Sequence, residues 1–213
     1  MPTTPGLGSL YGVYEENSAI QDVIETHNNV VHDSHELHHT IYTTKAMKNP
    51  TQKATLTELT AQIVHFASHG VSDPTDLSES HLLLQKPGSS GPVVDALKAS
   101  SISTSTSLGR AWIAYLSAFS TAQVRADTLL DENIHLTSAF HVAGFAHVIG
   151  TLWRADEDAC VLSARCFYRY LIGKGDIGES GAVARALREA VLELHRAFAD
   201  RPNAWAPFVH FGA

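Results

Sequence analysis

The sequence predicts an α/β layered fold with a mostly parallel central sheet, and two observations indicate it. Short apolar runs rich in β-branched residues alternate with helical patterns of about a dozen residues or more, which is typical of strands joined by crossover helices. Charged residues make up only 17% of the chain, against about 25% in an average domain, so much of the chain is expected to be buried. With 213 residues, no internal repeat and no evident linker, residues 1–213 are predicted to form a single domain.

The first third of the chain predicts a loop followed by several short elements. Residues 1–14 are rich in Pro, Gly and Thr and predict a loop, whereas residues 15–28 carry apolar side chains at helical spacing and predict a helix. The pair Val30-Val31 is predicted as a short strand. A histidine-rich stretch, residues 32–39, leads into a second predicted helix, and residues 55–60 predict another.

Five apolar runs predict the strands of the sheet: residues 62–67, 81–85, 111–116, 147–153 and 205–211. The first run gives way to Ser68-His69-Gly70, and the third gives way to Ser117-Ala118. Small residues and glycine interrupt strands, so both strands are expected to end in loops at these points.

The remaining segments predict one connector and three helices. Residues 99–107 are almost entirely Ser, Thr and Ala and are expected to form a solvated connector. Residues 131–143 predict a helix that Gly144 stops, and residues 182–198 predict a strongly amphipathic helix. Residues 156–171 open on three acidic side chains, which the positive end of a helix dipole favours.

The charge balance excludes some classes of partner. The chain has 15 Lys and Arg against 22 Asp and Glu, a net charge of −7, so no nucleic-acid partner is expected. No apolar run reaches the roughly 18 residues of a membrane-spanning helix, so no membrane partner is expected either. The amino terminus has neither the basic region nor the apolar core of a signal peptide.

The two cysteines indicate a reducing compartment. Cys160 and Cys166 are six residues apart, which on a helix places them on different faces and disfavours a disulfide between them. Unbridged cysteines are typical of cytosolic proteins, so the chain is predicted to be cytoplasmic.

One predicted strand end carries residues with catalytic chemistry. In open α/β sheets, functional groups gather at the carboxyl ends of the strands. There an imidazole such as that of His69 can act as base or acid, and a glycine such as Gly70 lets a backbone N–H approach an oxyanion. A histidine at a strand end is equally common as a structural residue, so this pair alone leaves both interpretations open.

Four ordered blocks of sequence resemble the CHAT domain: His-Phe-Ala-Ser-His-Gly at 65–70, the block at 115–122, the block at 143–153 and Trp-Ala-Pro-Phe at 205–208. The resemblance covers nearly the whole chain. It implies a separase- and caspase-like cysteine peptidase family, with the three-layer caspase–haemoglobinase fold and helices on both faces of the sheet.

The resemblance also implies a Cys–His dyad. His69 matches the catalytic histidine, and Gly70 matches the residue whose backbone N–H helps to form the oxyanion hole. The position of the nucleophilic cysteine is held by Phe119, whose benzyl side chain has no lone pair with which to attack a carbonyl. The sequence therefore predicts a catalytically inactive pseudopeptidase that acts as a binding or regulatory module. The alternative is a cysteine endopeptidase whose nucleophile at position 119 was removed by engineering, with His69 as its general base.

Neighbouring residues offer further candidates. Ser117 or Ser120 could replace the nucleophile only if one of them lay within hydrogen-bond reach of a base, and nothing in the sequence indicates this. Asp131, Glu132 and Asp156 are candidates for an acidic substrate pocket that selects a basic side chain; the competing interpretation is that they cap helices. His65 shares a strand face with His69 and is interpreted as a packed residue behind it.

The 13 histidines raise the question of a metal site. His32, His35, His38 and His39 have spacings that a helix brings to one face, but no diagnostic ligand motif accompanies them. A polar, exposed helix is the preferred interpretation, and neither a metal nor a cofactor is expected.

The resemblance extends to partners and to context. A peptide or protein ligand is expected, or another caspase-like domain that joins at a sheet edge. Such domains usually lie at the carboxyl end of longer proteins that carry helical repeats or signalling ATPase modules. Because the opening residues resemble the segment just after the first core strand of the family, the chain is expected to lack that strand or to take it from elsewhere, and to be a carboxyl-terminal piece of a longer protein.

Overall fold

The structure is a computed structural model, and it describes residues 10–30, 41–43, 63–71, 73, 75–104, 112–120, 132–153, 155–174 and 177–212. In this part of the chain, a seven-stranded mixed sheet forms the centre of the molecule. Its strands are β1 (Ile41–Thr43), β2 (Ile63–Val71), β3 (His81–Gly88), β4 (Gly91–Lys98), β5 (Ile113–Ser120), β6 (His147–Thr151) and β7 (Phe208–Gly212).

The centre of the sheet is parallel and its margins are antiparallel. The strand order is β4-β3-β2-β5-β6-β7, and β1 pairs with the first residues of β2. Strands β1, β2, β5 and β6 are parallel to one another, whereas β3, β4 and β7 run against their neighbours. The prediction of an α/β fold with a mostly parallel central sheet is confirmed.

Helices cover both faces of the sheet. The described helices are α1 (Gly12–Val30), α2 (Ala99–Ser103), α3 (Glu132–Val142), α4 (Glu157–Gly173), α5 (Ala182–Ala197) and α6 (Pro202–Trp205), with a 3-10 turn at Leu77–Glu79. Helices α1, α4 and α5 pack on the face that includes Ile63 and Tyr115. Helices α2 and α3 pack on the opposite face, against Val64 and Phe66. Successive strand residues point to opposite faces, which is why one strand feeds both cores.

Four helix predictions are confirmed, with small shifts at the ends of the helices. The predicted helix at 15–28 is α1, that at 131–143 is α3, that at 156–171 is α4 and that at 182–198 is α5. The strand predicted at Val30-Val31 is wrong for Val30, which ends α1. The helices predicted at 32–39 and 55–60 lie outside the described residues.

The predicted ends of the two central strands are wrong. Strand β2 continues through Ser68, His69 and Gly70 to Val71, and β5 continues to Ser120. The two strands pair with each other over this whole length, so the backbone hydrogen bonds of the small residues are made within the sheet. Gly70 and Val71 also pair with β3 on the other side.

The connector predicted at 99–107 is also wrong in its first half. Residues Ala99–Ser103 form α2, in which Ala99 and Ile102 are buried in the second core. One buried isoleucine in a run of Ser, Thr and Ala is enough to hold this short helix against the sheet, because tertiary packing rather than propensity stabilises short helices. The antiparallel strand β4, which precedes α2, was not predicted. At the carboxyl end, Trp205 ends α6 and the last strand begins at Phe208 rather than at residue 205.

Candidate functional site

The candidate site lies where β2 and β5 run side by side. In the parallel pairing of these strands, His69 is the register partner of Phe119, and Gly70 is the partner of Ser120. Register partners occupy the same face of a pleated sheet. The two positions that the resemblance assigns to the dyad are therefore adjacent, near the carboxyl ends of both strands, which is where functional groups gather in such sheets.

His69 is buried. Its exposed fraction is 0%, and Ala67 and His65 precede it on the same face of β2 with exposed fractions that are also 0%. Gly70 is half-buried at the end of the pairing with β5. Burial of this imidazole means that, as it stands, a substrate reaches His69 only if the surrounding residues move.

A network of polar side chains lies behind His69 in the first core. His65 Nδ1 is 3.0 Å from the hydroxyl of Tyr168 in α4, and His65 Nε2 is 3.3 Å from Oε1 of Glu16 in α1. The His65 ring stacks on Tyr115 of β5 at a centroid distance of 4.8 Å. The Tyr115 hydroxyl in turn donates to Oγ of Ser163 at 2.9 Å.

This network ties β2 to two helices. Glu16, His65, Tyr115 and Tyr168 are all buried. A buried polar group is costly unless it is partnered, so the contacts of His65 with α1 and α4 restrict how the strand that carries His69 can shift. The prediction that His65 is a packed residue is confirmed.

Both cysteines of the chain lie in α4, buried and free. Burial raises the pKa of the Cys160 thiol far above its usual value, and the nearby Glu16 carboxylate raises it further. Burial also raises the pKa of Cys166. Since the thiolate is the nucleophilic form, neither cysteine is poised to act as a nucleophile. The prediction that they form no disulfide is confirmed.

The residues predicted for an acidic pocket are only partly described. Asp131 lies outside the described residues, and Glu132 is the first residue of α3. Asp156 is exposed at the N-cap position of α4, where its Oδ2 is 3.4 Å from Nη1 of Arg201. Its side chain makes no capping hydrogen bond. The structure therefore places Asp156 at the start of α4, as the competing interpretation expects, but its side chain forms a surface ion pair instead of a capping hydrogen bond.

Sequence reasoning missed Glu16 and Glu157. Glu16 occupies the apolar face of α1, three residues after Val13 and four before Ile20, and this position of a carboxylate among core residues is the signal that could have identified it. Glu157 was assigned only to a helix start. Its Oε2 accepts a hydrogen bond of 2.9 Å from the backbone N–H of Gly12, which joins the first turn of α4 to that of α1.

A groove of about 520 Å³ is present elsewhere, between the end of α4 and the first half of α5. Tyr170, Lys174, Glu179 and Arg185 are among its lining residues, and His69 is not. Arg185 is paired with Glu179 at 2.8 Å. The groove is therefore separate from the candidate site.

Two searches of the described residues gave negative results. Within them, no group of three or more His, Cys, Asp or Glu side chains is arranged to hold a metal ion. The four histidines at 32–39 lie outside this part of the chain. No described helix is both long enough and apolar enough to cross a bilayer.

The fold and the paired strand ends define a caspase-like α/β protein, of a class related to peptidases. The family model of the CHAT domain matches residues 6–213. The chain belongs to the CHAT domain family. No curated protein matches the sequence.

Proposed function

We propose that this chain is a CHAT-domain pseudopeptidase, a binding or regulatory module that is catalytically inactive because Phe119 stands where the family has its nucleophilic cysteine. The observation that carries the proposal is the register pairing of His69 with Phe119. A Cys–His mechanism needs a sulfur within reach of the imidazole, and the residue beside His69 on the neighbouring strand is a phenylalanine.

The two cysteines elsewhere in the chain support the inactive assignment. Both are buried in α4, and the pKa of each thiol is raised, so each remains in the unreactive thiol form at neutral pH. Buried reduced cysteines also fit a reducing compartment, and the cytoplasm is part of the proposal.

The role as a binding module is supported by the edge of the sheet. Strand β4 is an edge strand of the described sheet, and its residues Val93 and Val94 are exposed hydrophobics. An edge strand presents unpaired backbone N–H and C=O groups, to which an extended peptide or the edge of another caspase-like domain can add. A peptide or protein ligand is therefore the proposed partner.

The alternative is a cysteine endopeptidase in which the nucleophile was replaced by engineering. It has the same fold and the same histidine, and it differs only at position 119. The natural coding sequence distinguishes the two: a cysteine codon at 119 would identify this chain as a silenced peptidase.

The test of the inactive assignment is a Phe119→Cys variant, incubated with a panel of electrophilic peptide probes and read by intact mass. We expect one adduct on Phe119→Cys and none on the unmodified chain. A matched control places the same thiol at a distance, in Phe211→Cys of β7, and a second control combines Phe119→Cys with His69→Ala. Labelling of the unmodified chain that depends on His69 would contradict the proposal.

A further inference from the structure

Two histidines meet at the amino ends of the parallel strands, opposite to the carboxyl ends where His69 lies. His147 is the first residue of β6, and its register partner is Gly212 of β7; His210 lies two residues before Gly212. The pairing of Ile113 with His147 places this cluster at the amino ends of the parallel strands. The cluster is therefore separate from the candidate site, which lies at the carboxyl ends.

The two imidazoles face each other with their nitrogens close together. Nδ1 of His147 is 3.0 Å from Nε2 of His210, and the ring centroids are 5.1 Å apart. His147 is buried, with an exposed fraction of 6%, and the Trp112 ring lies 5.2 Å from it. The partly covered position restricts the rotamers of His147, so the pair is held in place before any ligand arrives.

Gly212 leaves a space next to both nitrogens. Its φ is +148°, and a Cβ at this position would lie 2.7 Å from His147 Nδ1, 3.0 Å from His210 Nε2 and 2.5 Å from the carbonyl oxygen of Ala146. The three donor atoms thus converge on one point beside the Gly212 backbone, which a Cβ could not occupy without a clash. Two imidazole nitrogens and an oxygen form a donor set that suits the imidazole-preferring divalent metals.

We propose that His147 Nδ1 and His210 Nε2 bind a divalent transition-metal ion of the Ni²⁺, Cu²⁺ and Zn²⁺ group, with the Ala146 carbonyl as a third donor. The donor set has two side chains, with a backbone oxygen in place of a third. Water completes the coordination. The ion bridges β6 and β7, and it therefore stabilises the pairing of the last strand with the sheet.

Binding requires a rearrangement of one proton. In the metal-free pair, one facing nitrogen donates its hydrogen to the other at 3.0 Å. A metal ion needs a lone pair from both nitrogens, so the shared proton moves, by exchange through solvent, to the other nitrogen of its own ring, and both imidazoles stay neutral. No oxidant or other reactant is needed.

The test is a calorimetric titration of the chelator-treated protein with Zn²⁺. Because the chain has 13 histidines, the site is identified by difference between variants rather than by total binding. His210→Gln removes one ligand, and we expect it to weaken one class of sites by at least about tenfold, the scale of change seen when even the outer hydrogen bonds of metal ligands are removed. His27→Gln, which removes an imidazole from α1, is the matched control and should leave that class unchanged.

A second pair of variants tests whether the position beside the Gly212 backbone must stay free of a side chain. Gly212→Ala places a methyl group against both nitrogens and should also abolish this class of sites. Gly144→Ala is its matched control, since Gly144 has a φ of +108° and nothing within 4 Å of an added Cβ. The control reproduces the backbone strain without the obstruction, and we expect it to bind Zn²⁺ as the unmodified chain does.

A spectroscopic readout remains decisive if a variant fails to fold. In the unmodified protein, Zn²⁺ should shift the ¹⁵N resonances of His147 Nδ1 and His210 Nε2 together, because both nitrogens become metal ligands. The melting temperature should also rise, by about 5 °C at a hundredfold excess of Zn²⁺ over its Kd. Unshifted His147 and His210 resonances at saturating Zn²⁺, or equal binding by His210→Gln and the unmodified chain, would overturn the proposal.

Discussion

Glu16 has an unusual position among the carboxylates of the chain. Its exposed fraction is 0%, and its Oε1 lies 3.3 Å from Nε2 of His65. Removing one partner of a buried polar pair leaves the other without compensation, which costs more than the pair contributes in total. Glu16 therefore connects α1 to β2, the strand that carries His69, through its contact with His65.

Truncation of Glu16 tests this contact. We expect Glu16→Ala to lower the free energy of unfolding by about 3 kcal/mol, because it opens a cavity at a fully buried position and removes the carboxylate that lies 3.3 Å from His65 Nε2. The measurement is urea denaturation at pH 7. Glu25→Ala, on the exposed part of the same helix, is the control and should change stability by less than about 0.5 kcal/mol. Equal stabilities of the two variants would show that the buried contact is dispensable.

The cysteines give a pH-dependent prediction. Burial raises the pKa values of Cys160 and Cys166 in the folded chain above the ordinary thiol value of 9.0, so the folded protein keeps both protons when the unfolded chain loses them. This contribution to stability is fully present below about pH 9 and is lost as the pH rises above it. We expect the free energy of unfolding to fall in that alkaline range.

The same property is measurable by alkylation. At pH 8.5, iodoacetamide should leave the folded protein unmodified and should add two groups in urea. Rapid modification of either cysteine in the folded state would mean that a reactive thiol is accessible, and it would weaken the inactive assignment.

For the strands and helices, the presence of an element was easier to predict than its first and last residues. The apolar runs at 62–67 and 111–116 predicted β2 and β5 correctly, because β-branched and aromatic residues favour buried strands. Their ends were placed too early because Gly70 and the small residues Ser68 and Ser117 have a low strand propensity, which the pairing of β2 with β5 overrides. The pairing of the two strands over eight positions is a tertiary fact, and local sequence does not contain it.

Helix α2 is a second case in which local sequence predicts the wrong structure. Its composition is that of a loop, and the buried side chain of Ile102 is what places it against the second core. We expect Ile102→Ala to cost about 3 kcal/mol of stability, within the range for buried aliphatic residues. Val142→Ala, at an exposed residue at the end of α3, is the control and should be nearly neutral. Thermal melts of both variants decide the matter, and equal melting temperatures would mean that α2 is not part of the core.

In the molecule as a whole, two residue pairs lie at opposite ends of the parallel strands. The carboxyl ends of β2 and β5 hold the His69–Phe119 pair, and the amino end of β6 holds the His147–His210 pair. The first pair was predictable because it lies within motifs of the family. The second was not, since His147 and His210 are 63 residues apart and meet only through the antiparallel pairing of β7 with β6.

The antiparallel margins of the sheet account for the proposed mode of binding. Strands β3 and β4 form a hairpin at one margin of the sheet, and β4 carries the exposed residues Val93 and Val94. The proposed binding at this sheet edge would therefore not use the paired positions His69 and Phe119.

The most direct test of the central claim is a proteolysis assay of the unmodified chain on a diverse peptide library, with mass spectrometry as the readout. The inactive assignment predicts no cleavage above the background of a His69→Ala variant, because position 119 supplies no nucleophile. Cleavage of any peptide by the unmodified chain that is lost in His69→Ala would contradict it, and would mean that another group beside His69 carries out the attack.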